Sequence, residues 1–162
     1  MKTLETKPKS TWYKDNLQAT INSSIIVGAS YIVIFLIAKI FSLAEVTWLR
    51  FLNYVVLFPI VYGAVGKYYV LHKNYINYFQ GFSMGFLIGS LGSLYYSVIF
   101  YFYLKFDPLF MKTILNKLPA QIIYPEISIA FINFSEGLSF SVIVALAIMQ
   151  LYKRSGASSA EF

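Results

Sequence analysis

Apolar residues gather into four long runs, and short polar or charged segments separate them. The clearest run, residues 81–105, reads GFSMGFLIGSLGSLYYSVIFYFYLK and carries no charge before Lys105. Roughly 20 apolar residues, at about 1.5 Å each, cross a hydrocarbon core about 30 Å thick. The pattern therefore predicts membrane-spanning helices at about 22–42, 49–71, 79–106 and 127–152. The connections after the first two runs are short, which makes neighbouring spans antiparallel. The expected fold is an all-α membrane protein with four transmembrane helices in an antiparallel bundle.

Periodicity adds a fifth helix. After Asp107, a good N-cap, and Pro108, a good first helical residue, Phe110, Met111, Ile114, Leu115 and Leu118 recur at three and four. Residues 107–118 are too few to span, so they predict a short amphipathic helix on the membrane surface, ended by Pro119. Pro59 falls in the middle of the second run, where it removes a backbone donor and predicts a kink. Two starts fit the fourth span. A long helix opens near Pro125; a short one opens with Ser135 as N-cap and Glu136 in its first turn.

The third span carries Gly81, Gly85, Gly89, Ser93 and Ser97 at a spacing of four. In lipid such a row lets a second helix approach closely, so packing replaces the missing hydrophobic drive. Ser24 and Gly28 on the first span are a candidate partner face. The second half of the third span is crowded with aromatics, so a partner should splay there.

Composition supports a membrane protein: 58% of residues are hydrophobic and 12% are charged, against about 25% in soluble domains. With no cysteine, disulfide and thiolate chemistry are excluded, and one histidine leaves no His-pair metal site. The formal charge is +6, but the basic residues are too dispersed for a nucleic-acid surface. Their distribution speaks to topology instead. Lys2, Lys7, Lys9, Lys14, Lys67, Lys73, Lys153 and Arg154 fall on one side. Lys39, Arg50, Lys105, Lys112 and Lys117 fall on the other. The excess places both termini in the cytoplasm. Residues 1–20 read as a polar cytoplasmic segment and 155–162 as a flexible end. Ser42, Leu43 and Ala44 loosely resemble a signal cleavage site, but the preceding run is longer than a signal core and reads as an uncleaved span.

Chemistry is sparse. Glu136 is the acid placed to enter a span, and intramembrane acids are functional candidates. Asn133, Arg50 and Lys39 are its nearest plausible partners; the bland alternative is a first-turn acid at the interface. His72 sits beside Lys73 in a connection and reads as a solvated residue. The segments NYFQGFS (77–83) and NFSEGLS (133–139) echo each other, as though both opened a span. No phosphate loop, nucleophile elbow or zinc motif occurs, so neither cofactor nor catalytic residue is called for.

The stretch YINYFQGFS (75–83), continuing through GFLIGSLG (85–92) to the exit YFYLKFDP (101–108), resembles the domain of unknown function family 4199. These are small four-span membrane proteins of Bacteroidota. The resemblance covers about a quarter of the chain and implies a bacterial inner membrane. It transfers no activity. The reading that follows is a non-enzymatic accessory or structural subunit, packing on a protein partner or a second copy through the third span. A small transporter or channel using Glu136 is the alternative.

Overall fold

A computed structural model describes residues 9–41, 50–71, 78–116 and 125–158. Five helices occupy them: α1 (Lys9–Ile40), α2 (Arg50–Leu71), α3 (Tyr78–Phe106), α4 (Pro108–Leu115) and α5 (Pro125–Ser158). All except α4 are long and apolar enough to cross a membrane.

The contacts give each helix its direction. Gly85 meets Ala145, Gly89 meets Ser141 and Ser93 meets Gly137, so α3 and α5 are antiparallel. Tyr31 packs on Tyr96 and Phe35 on Phe100, so α1 runs parallel to α3. Tyr68 donates to Gln80 at 3.3 Å and Val61 abuts Gly85, which turns α2 against α3. The result is an up-down-up-down bundle. Helix α3 lies at its centre, touching every other helix.

Small residues make that central position possible. A Cβ built on Gly89 would lie 2.7 Å from Ser141 Cβ, and one on Gly137 would lie 2.6 Å from Ser93 Cβ. On its other flank, a Cβ on Gly92 would lie 2.8 Å from Val27 Cβ and 3.1 Å from the Ser24 carbonyl. Two helices thus press on α3 from different sides, each where a side chain is missing. Toward the α4 end larger residues take over, and Phe100, Leu104, Met111 and Ile129 form a separate apolar cluster.

Several boundaries differ from the sequence pattern. Helix α1 begins at Lys9 rather than near residue 22, because a spanning helix propagates into a polar segment with no breaker after Pro8. Helix α5 takes the long form from Pro125 and continues to Ser158, so residues 155–158 are helical. Helix α4 ends at Leu115, with the Asn116 N–H closing on the Lys112 carbonyl. Helix α2 continues through Pro59 as one element. His72 lies outside the described residues.

Candidate functional site

The bundle interior is layered. Toward the chain ends Val27, Leu57, Val61, Val65, Ile88, Val144 and Ile148 form a mainly apolar cluster that also takes in Tyr31 and Tyr68, and Thr20, Ser24 and Ser141 are buried as well. Toward α4 lies the cluster around Phe100. Between the two, all four long helices present polar residues. These are Tyr31 on α1, Asn53 and Tyr54 on α2, Ser93 and Ser97 on α3, and Asn133 and Glu136 on α5.

Ring stacking and close helix packing hold this level together. Tyr31 meets Tyr96 edge-on at 5.8 Å, one residue before Ser97. Tyr54 stacks on Phe140 at 3.4 Å between ring centroids, and Phe140 stands one turn beyond Glu136. Ser93 fills the space left by Gly137, the residue after Glu136. Continuing that register by four residues on each helix brings Ser97 level with Asn133. Tyr31, Ser93 and Ser97 are 2%, 1% and 5% exposed. Tyr31 Oη, Asn53 Oδ1, Ser93 Oγ and Ser97 Oγ are buried with no hydrogen-bond partner among the described residues.

Glu136 is half-buried and stands about three turns, or 16 Å, inside α5. The first-turn position at the interface is therefore corrected: the helix starts at Pro125, which carries Glu136 toward mid-membrane. The same start undoes the internal echo, because Gln80 opens α3 whereas Glu136 sits deep within α5.

One of its expected partners is engaged elsewhere. Lys39 pairs with Asp107, not with Glu136. Arg50 opens α2, four residues before Tyr54, and its side chain lies outside the described residues. Asn133 remains one turn from Gly137. The Gly81, Gly85, Gly89, Ser93 and Ser97 row is buried inside the chain, with α5 and Val61 of α2 against its middle.

Asp107 anchors a second polar feature at the edge of the bundle. It takes the Lys39 ion pair, accepts from Tyr103 Oη at 2.8 Å and caps α4 through the Phe110 N–H at 3.1 Å. Lys39 lies over the Tyr103 and Phe110 rings, which pack around Phe35. The Lys39 hydrogen bond, then the Phe110 N–H, hold the Asp107 carboxyl below the ordinary carboxylate range. The feature clasps α4 to α1 and α3.

Sequence reading missed Tyr31, Asn53 and Tyr54. Tyrosine is abundant here, at 14 residues, so no single one stands out. Only the pairing of helices shows which of them face inward. Among the described residues no group of three His, Asp or Glu could hold a metal ion. Comparisons with protein-family models, with curated proteins and with solved structures return no match for this chain.

Proposed function

We propose that this multi-pass membrane protein relays or transports a small cation, a proton being the simplest, with Glu136 as the group that exchanges charge. One observation carries the reading: Glu136 stands at mid-span on α5, level with buried polar groups on the other three long helices. An acidic side chain at that depth costs about 3 kcal/mol on insertion scales, so a purely structural role is a poor account of it. The test is flux in liposomes under a proton, sodium or potassium gradient. Wild-type protein should dissipate one of these gradients and Glu136→Gln should abolish the effect. Equal flux from both proteins, or none from either, defeats the reading.

A second reading, an accessory subunit acting through helix packing, draws on α2. Gly63 faces outward, and a Cβ there would meet nothing within 4 Å. A small outward residue lets a partner helix or a second copy come close. Partner contact through α3 would use its outward residues Leu87, Leu94, Val98 and Phe102, since its glycine face is covered. Gly63→Leu should then alter what co-purifies from native membrane; an unchanged assembly counts against this reading. In either case the charge bias and the family resemblance favour a bacterial inner membrane with cytoplasmic termini.

A further inference from the structure

We propose that the polar layer binds a cluster of ordered water molecules inside the bundle, held by Tyr31, Asn53, Ser93 and Ser97. The inference goes beyond the transport reading and stands without it, because it concerns the layer itself.

Four buried atoms need a partner that the described residues do not supply: Tyr31 Oη, Asn53 Oδ1, Ser93 Oγ and Ser97 Oγ. Each unpaired polar atom in a low-dielectric interior is costly, and the hydrocarbon around the bundle offers no relief.

The serines make the point specific. Ser24, Ser30, Ser90, Ser139 and Ser141 each donate to the carbonyl four residues back, at 2.6–2.9 Å. That local bond is how a hydroxyl normally satisfies itself in a spanning helix. Ser93 and Ser97 do not make it. Ser93 Oγ is turned across the interface toward Gly137, away from its own helix.

The donor and acceptor inventory selects the ligand. Three hydroxyls can donate or accept, and Asn53 Oδ1 only accepts. A water molecule donates twice and accepts twice, so it can link such groups in any order. Buried waters typically make two to four such bonds, about the number this layer offers. Hydrophobic side chains surround the layer, with Tyr31 packed among Val27, Leu57 and Ile88 and Tyr96 reaching the cluster of Phe100, which disfavours a larger polar solute. The Tyr31 ring packs edge-on against Tyr96 and is 2% exposed, so its hydroxyl is held away from the bundle surface. The layer lies nearer the α4 end of the bundle. Tyr31 is about 13 Å along α1 from Ile40 and about 21 Å from Leu17.

The experiment is X-ray hydroxyl-radical footprinting of the full chain in nanodiscs. Ionised bound water labels the side chains beside it, and mass spectrometry reads the sites. Each rate is divided by that of the same residue in unfolded chain. Tyr31 should be labelled several-fold faster than Phe100, which is similarly buried at 5% exposure but lies in the apolar cluster. Asn53→Leu combined with Ser97→Ala should cut Tyr31 labelling several-fold at unchanged helix content. Tyr31 labelled no faster than Phe100 overturns the proposal, as does labelling indifferent to the double variant. If the double variant does not fold, the wild-type ratio of Tyr31 to Phe100 decides. No flux is read, so this outcome is separate from that of the transport test.

Discussion

Adding one methyl group at Gly89 should force α5 away from α3. In Gly89→Ala the new Cβ would sit 2.7 Å from Ser141 Cβ and 3.3 Å from Ser141 Cα. Comfortable carbon–carbon contact is about 3.5–4.0 Å, so the shortfall is about 1 Å. The nearest obstacle beyond the hydroxyl is Cβ and backbone, which no rotamer change can move. Relief therefore comes from helix separation. A gap of that size forfeits about a quarter to a half of each dispersion contact, here also at Gly85 with Ala145 and Ser93 with Gly137. Overpacking of this kind costs about 1–3 kcal/mol. Reversible unfolding in bicelles measures it. Gly63→Ala is the internal control, with nothing within 4 Å of the added atom; it should be neutral or stabilising by up to about 1 kcal/mol. Ser141→Gly should recover a large part of the Gly89→Ala loss, a coupling of about 0.5–3 kcal/mol. If Gly89→Ala is as mild as Gly63→Ala, or Ser141→Gly rescues nothing, close α3–α5 contact is not what holds the bundle.

Three further outcomes follow from the same geometry. Asp107 has its carboxyl pKa lowered on folding, so its contribution is complete above the ordinary carboxylate range, about pH 4, and disappears as pH falls through the lowered value. Amide exchange across residues 111–114 should accelerate on that acid side, while Asp107→Asn should show fast exchange at neutral pH and little further change on acidification. Phe140→Ala removes the stack on Tyr54. Because lipid replaces the lost apolar contact, only the aromatic pair term of about 0.5–1.5 kcal/mol should appear, and a double-mutant cycle with Tyr54→Ala isolates it. Gly92→Ala should destabilise more than Gly28→Ala, since its Cβ meets Val27 Cβ at 2.8 Å while that of Gly28 finds its nearest atoms at 3.1 Å. Matched unfolding curves of the two variants would contradict this ordering.

The span pattern and the small-residue row were legible because each depends on one helix at a time. Hydropathy locates the part of a helix that lies in lipid, and a spacing of four places side chains on one face. Helix ends were less legible. Hydropathy marks where lipid ends, not where hydrogen bonding ends, so residues 9–21 and 155–158 escaped notice as helix. That same weakness left the depth of Glu136 open between two starts of α5. The polar layer could not be read at all. Tyr31, Asn53, Ser93 and Glu136 come from four helices, and their common level depends on register, which single-helix periodicity does not contain. Lys39 shows the problem in small: its partner Asp107 is 68 positions away.

The order of the helices along the chain exposes the glycine face of α3 for a time during synthesis. Its cover, α5, is the last of the five helices in chain order, following α4. Until α5 emerges, Gly85, Gly89 and Ser93 present a notch that any passing transmembrane segment with small residues could occupy. Translation speed between Pro108 and Tyr152 therefore sets how long the nascent protein is open to the wrong companion.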